Sequence, residues 1–109
     1  MQLPERVDVV IVGGGVMGTS SAFHLSEAGV SVALFEANEL ASGSTSKAAG
    51  GVRANFSDEL NIALGARSLD LLANFQQRPG YEIDLHRPGY LFALTNNEDV
   101  ALFERSTKL

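Results

Sequence analysis

The sequence contains no cysteine, no tryptophan and only 3 prolines in 109 residues. Without cysteine there is no disulfide framework, no thiol redox motif and no cysteine-ligated zinc site, a state compatible with a reducing compartment. Positive charge is also scarce: 8 Lys+Arg stand against 13 Asp+Glu, giving a formal charge of −5. That balance lacks the basic footprint needed to bind nucleic acid or an anionic membrane surface, so neither is expected as a partner. A length of 109 residues fits one domain of common size and leaves no room for a complete two-domain enzyme.

What is present is 45% hydrophobic residues, 19% charged residues and 11 glycines, the make-up of a globular chain with a modest core rather than of a disordered one. The longest uncharged run lies between Asp8 and Glu27. It is interrupted by Gly13, Gly14, Gly15 and Gly18, then Thr19, Ser20 and Ser21, and follows a leader with Glu5 and Asp8. A membrane span needs about 20 mostly apolar residues, so the run reads as soluble structure. No export or lipid-anchor signal occurs elsewhere, and the expected location is cytoplasmic.

Val7, Val9, Val10, Ile11 and Val12 form a nearly continuous β-branched run that stops at glycine, the pattern of a strand over 7–12 buried on both faces of a parallel sheet. Met17, Ala22, Phe23, Leu25 and Ala28 lie in a segment from Gly15 to Ala28 that reads as a helix, ended by Gly29 as a C-terminal cap. Val30, Val32, Ala33, Leu34 and Phe35 make a second strand that ends at Glu36. The strand–helix–strand unit has the length of a right-handed crossover of about 30 residues. Residues 37–56 are rich in Ser, Thr and Gly and read as a long loop with at most one helical turn; loops of more than about 12–15 residues in a compact domain are commonly functional.

Ser57 is placed as an N-cap for a helix over 58–77, with Asp58 and Glu59 in its first turn and Leu60, Leu64, Leu71 and Phe75 at helical spacing. Arg78-Pro79-Gly80 ends it. Ile83-Asp84-Leu85-His86 and Tyr90-Leu91-Phe92-Ala93-Leu94 flank Arg87-Pro88-Gly89 and read as a two-strand hairpin. A final helix is expected from Asn97 to Leu109. Phe56, Phe75 and Phe92 are expected in the core.

Gly13-Gly14-Gly15-Val16-Met17-Gly18 is a GxGxxG between a strand and a helix, the context that raises such a match above chance. Gly13 makes the tight turn, Gly15 lets backbone N–H groups approach a pyrophosphate, and Gly18 allows the helix to pack on the sheet. Val16 and Met17 contribute backbone, and the helix N-terminus adds positive potential. Glu36 lies 18 positions beyond Gly18, close to the roughly 20-residue offset at which a carboxylate accepts from a ribose 2′-OH. This fingerprint serves NAD and FAD alike.

The loop Ser42-Gly43-Ser44-Thr45-Ser46-Lys47-Ala48-Ala49-Gly50-Gly51-Val52-Arg53 resembles the loop after the second strand in flavin amine oxidoreductases of the D-amino-acid oxidase superfamily. It is most similar to the branch of glycine oxidase, sarcosine oxidase β-subunit and dimethylglycine dehydrogenase, as is Gly89-Tyr90-Leu91 further on. The resemblance implies an α/β fold, a partial Rossmann-like FAD-binding domain of the GR2 type, filling residues 1–80, with the start of the substrate region at 81–109. It implies that Gly13, Gly14, Gly15, Val16, Met17, Gly18, Glu36 and the adjoining Ala37 contact FAD. Ser42, Ser44, Thr45 and Ser46 would lie near its phosphates and ribityl chain, Lys47 near the flavin, and Gly50 and Gly51 against the isoalloxazine. The implied reaction is hydride transfer to the flavin from the carbon next to an amine, followed by hydrolysis of the imine, with O2 or an electron-transfer partner as the final acceptor.

Lys47 stands where dimethylglycine and sarcosine dehydrogenases carry a histidine that holds FAD covalently, which implies dissociable FAD here. Lys47 itself is either a stabiliser of the reduced flavin anion or a solvated lysine. By the resemblance, Arg53 aligns with an arginine that holds the substrate carboxylate in monomeric sarcosine oxidase, although Ala48-Ala49-Gly50 differs from that oxidase; a structural ion pair is its other reading. His24 reads as a helix residue and His86 as a strand end, with no metal-ligand spacing between them. Arg67 reads as a solvated charge or a partner for Glu59 or Asp70. No Gly-x-Ser-x-Gly elbow or Walker lysine is present, so acyl and phosphoryl transfer are unsupported. Because family members run to several hundred residues, the chain is expected to be a fragment of a longer protein, with weak or no FAD binding and no turnover by itself, and with strand edges open to self-association or a larger partner chain. An NAD-dependent dehydrogenase module and a non-catalytic dinucleotide-binding or assembly subunit are the rival readings.

Overall fold

Four consecutive β-branched residues, Val9–Val12, form strand β1, and Val32–Phe35 form strand β2. In the computed structural model, which describes residues 4–108, they pair in parallel with Val9 opposite Val32 and Val12 opposite Phe35. The carboxylate of Asp8 fastens the start of this pair, accepting from the Ser31 N–H at 3.1 Å and the Ser31 hydroxyl at 2.5 Å. The crossover is helix α1, Val16–Glu27. It ends as its glycine requires: Gly29 has φ 81°, its N–H donates to the Ser26 carbonyl, and the Val30 N–H donates to that of Leu25. That pair of bonds around a left-handed residue is a Schellman termination.

The chain divides into two compact units between Gly50 and Gly51. In the first, α1 packs on one face of the two-stranded sheet. The other face is open, with Val10 57% and Val12 86% exposed. The expectation of a strand buried on both faces is therefore corrected, and so is that of a modest core: among the described residues no hydrophobic side chain is fully buried. One helix covers one face of a sheet, and two strands have no second layer to close the other. Phe56 and Phe75 are half-buried, while Phe92 is 44% exposed.

The second unit contains α2, Glu59–Ala73, and α3, Asn97–Ser106. The N-cap of α2 is Asp58, one residue later than expected: its backbone is extended and its Oδ1 accepts from the Asn61 N–H at 2.9 Å. The helix stops at Ala73 rather than at 77. Asn74 leaves helical geometry, with its side-chain amide on the Asp70 carbonyl at 2.8 Å, and hydrogen-bonded turns carry the chain to Pro79. Asn96 caps α3 through the Asp99 N–H. The expected run of α3 to Leu109 breaks off at Ser106, with Thr107 as C-cap, and Leu109 itself lies outside the described residues.

The hairpin over 83–94 is not formed. Residues 80–95 have no ladder among the described residues, and Tyr90, Leu91 and Phe92 are exposed. The Leu85 N–H instead donates to the Ile83 carbonyl two residues back, a local turn that takes a donor a ladder would need.

Candidate dinucleotide site

Backbone crowding explains the glycine spacing. A Cβ on Gly18 would overlap the carbonyl oxygen of Gly13, and Gly13 itself has φ 106°, a left-handed conformation that suits glycine alone. Gly14 is fully enclosed, with the Leu40 side chain and the Cβ of Glu36 on the spot a side chain would take. At Gly15 a Cβ would come within 3.0 Å of the Thr45 hydroxyl.

Glu36, at the end of β2, turns its carboxylate back onto this turn. Its Oε2 accepts from the Gly14 N–H at 2.7 Å and its Oε1 from the Asn38 N–H at 2.9 Å. These bonds favour the ionised form and hold its pKa below the ordinary carboxylate value, the Gly14 amide contributing most. A carboxylate offers about four acceptor positions, so capacity remains for a sugar hydroxyl.

The loop after β2 folds onto the same turn. The Ala41 N–H donates to the Gly14 carbonyl at 3.0 Å and the Ala41 carbonyl accepts from the Ser46 N–H at 3.0 Å. These bonds hold Ala41 at φ 60°, a left-handed state that costs a residue with a Cβ roughly 1–2 kcal/mol. Thr45 Oγ1 accepts from the Val16 N–H at 3.0 Å, satisfying one of the free donors at the start of α1. Among the described residues the N–H groups of Met17 and Gly18 have no protein acceptor, and the first turn of α1 carries no acidic side chain. Free amides, a helix N-terminus and neutral hydroxyls form a donor set suited to a pyrophosphate, so the residues present fit the dinucleotide part of FAD.

The other sequence candidates fall as follows. Ser42 and Ser46 donate their hydroxyls within their own loop, Ser42 to the Glu39 carbonyl and Ser46 to those of Ser42 and Gly43. Ser44 opens a 3-10 turn, Thr45–Lys47, and Lys47 ends it with an exposed side chain. Ala37 is exposed beside Glu36, and Gly50, at φ 76°, has open space around it. Gly51 and Arg53 belong to the second unit. There Arg53 lines an open cleft of about 700 Å³ with Phe56, Ile62, Phe92, Leu102 and Phe103. Among the described residues no carboxylate pairs with Arg53; its guanidinium lies over the Phe56 ring, 5.2 Å from the centroid.

His24 faces Glu27 at 3.9 Å across one turn of α1, and exposed His86 pairs with Asp84 at 2.8 Å rather than ending a strand. Arg67 is exposed on α2. Three contributors escaped sequence reading: Leu40 against Gly14, the Asn38 amide on Glu36, and Phe56 beneath Arg53. Only the last had a signal, an aromatic three positions after an arginine. Among the described residues there is no group of side chains able to hold a metal ion, and no helix is long and apolar enough to cross a membrane.

Residues 8–109 match the family described as "FAD dependent oxidoreductase" (DAO). The chain is 35% identical to mitochondrial dimethylglycine dehydrogenase of Rattus norvegicus, over 92% of this chain and 12% of that protein. It is 36% identical to glycine oxidase of Geobacillus kaustophilus, over 89% of this chain and 28% of the relative. The crystal structure of L-proline dehydrogenase from P. horikoshii superposes with a TM-score of 0.87 at 34% identity, covering 97% of this chain and 28% of that one. The chain thus spans between 12% and 28% of the length of these relatives. The family's dependence on FAD decides between the two dinucleotides that the glycine fingerprint leaves open.

Proposed function

Because this chain belongs to the family of FAD-dependent oxidoreductases, we propose that it forms the cofactor-binding part of an enzyme that oxidises the carbon–nitrogen bond of a small amine or amino acid. The observation that carries this reading is the closed turn in which Glu36 and Thr45 each take a backbone N–H of the segment Gly14–Val16. Bound FAD supplies the two-electron acceptance that such a reaction needs. The backbone amides of Met17 and Gly18 receive the pyrophosphate, and Glu36 accepts from the ribose 2′-OH, where a 2′-phosphate would be repelled. Gly13, Gly14, Gly15, Val16, Glu36, Ala37, Ser42, Ser44, Thr45, Ser46, Lys47, Gly50 and Gly51 complete the cofactor-contacting set. With lysine at 47, FAD is held without a covalent bond.

On the substrate side, Arg53 binds the carboxylate of an amino-acid substrate. Arg53 lines a cleft of mixed polar and apolar side chains and pairs with no acid among the described residues. Asp99, a carboxylate lining the same cleft, is engaged by its own cap residue Asn96. The names of relatives, dimethylglycine dehydrogenase, glycine oxidase and proline dehydrogenase, support small amino acids as the substrate class. The substrate region begins at residue 81.

The test is anaerobic addition of glycine, sarcosine, dimethylglycine or proline to the FAD-loaded full-length protein that contains this chain, watching the flavin colour. Bleaching by at least one of them is expected. Retention of full colour with every amine offered, in a protein that binds FAD, would refute the assigned reaction while leaving the cofactor assignment intact.

A further inference from the structure

We propose that Phe56 is a positioning residue that holds the Arg53 guanidinium ready for a carboxylate; this rests on the reading of Arg53 as the carboxylate-binding group. The Arg53 Cζ lies 5.2 Å from the centroid of the Phe56 ring, within the roughly 6 Å over which a ring face attracts a cation. A cation held over a ring face gives up no N–H donor to a hydrogen-bond acceptor, and those donors are the ones a carboxylate engages bidentately. The ring therefore restrains the arginine without consuming its binding edge. An unrestrained arginine loses more rotamer freedom when it is fixed by a ligand, and holding it beforehand reduces that cost.

The ring is itself held in place. Gly65, midway along α2, leaves a gap that the segment ahead of the helix fills. A Cβ at Gly65 would stand 2.8 Å from the Ala54 Cα, 2.9 Å from the Arg53 carbonyl oxygen and 3.1 Å from Cε2 of Phe56. The same helix position thus seats both the arginine backbone and the ring that the arginine lies over. Phe56 is half-buried and Arg53 exposed, so the fixed partner is the ring and the adjustable one is the cation. No acid among the described residues competes for Arg53.

The experiment titrates the FAD-loaded protein with acetate, a carboxylate that cannot be oxidised at a carbon–nitrogen bond, and with acetamide as its neutral counterpart, following the change in flavin absorbance. Phe56→Leu keeps apolar volume but removes the ring face, and acetate binding is expected to weaken about two- to fivefold. Acetamide binding is expected to stay unchanged. Phe56→Trp, which restores a ring face, is expected to bring acetate affinity back to the original value or above it. If Phe56→Leu binds acetate as the parent does while Arg53→Met loses binding, Phe56 is packing only and the proposal is overturned. The same holds if Phe56→Trp is as weak as Phe56→Leu, or if acetamide weakens in parallel. If Arg53→Met binds acetate unchanged, the reading of Arg53 fails, and the proposal fails with it for that separate reason.

Discussion

One carboxylate ties the end of β2 to the turn that follows β1. Glu36 accepts from Gly14 and Asn38, and both bonds favour its ionised form. The linkage has a definite sign: a carboxyl whose folded-state pKa is lowered contributes stability above its ordinary value, and loses it as pH falls through the folded-state value. For Glu36 the ordinary value is 4.5, so the contribution is intact at neutral pH and disappears in acid below that point. Titration of the Glu36 carboxyl by carbon NMR should give a midpoint under 4.5, and Glu36→Gln should remove that part of the acid-induced loss of stability. A midpoint at or above the ordinary value would mean that the Gly14 bond is absent in solution. Asp8, held low by the Ser31 hydroxyl and amide, and Asp58, held low chiefly by the Asn61 amide, act in the same direction, so acid loosens the strand pair and the start of α2 together.

At the scale of elements, caps decide where helices begin and end. Asp58→Ala removes the side chain that satisfies the Asn61 N–H and should cost about 1 kcal/mol, read as a lowered midpoint in urea denaturation followed by far-ultraviolet dichroism. Asp58→Asn should keep most of the stability, because the amide oxygen still accepts. A Ser57→Ala change larger than that of Asp58→Ala would restore Ser57 as the cap. The case also shows what kind of element is legible from sequence. Gly13, Gly18 and Gly29 could be read in advance because each answers a local steric demand. Ser57 and Asp58 are adjacent cap-forming residues, and which of them acts depends on a dihedral angle that composition does not fix. The expected hairpin failed for a related reason: Ile83–His86 and Tyr90–Leu94 have strand composition, but a strand exists only when a partner takes its N–H and C=O groups. The loop at 42–47 was legible as a set of hydroxyls, yet the one bond that matters most, Thr45 to the Val16 N–H, depends on how the chain folds back at Ala41.

At the scale of the whole molecule, the first unit holds the dinucleotide turn and the second the Arg53 cleft, and each has more exposed apolar surface than a closed domain would. Val10, Val12 and Phe35 stand on the first unit's surface and Tyr90, Leu91 and Leu102 on that of the second, consistent with a chain that spans only 12% to 28% of its relatives. The central claim remains chemical: we propose that in the longer protein this glycine turn, with Glu36 and Thr45 around it, binds FAD without a covalent bond. The measurement that tests it most directly is a visible absorbance spectrum of the longest native polypeptide that contains this chain, after incubation with FAD and removal of unbound cofactor, repeated on the supernatant after acid precipitation. The account predicts flavin bands on the protein and their full release into the acid supernatant. A protein that stays colourless, or colour that remains in the precipitate, would contradict it.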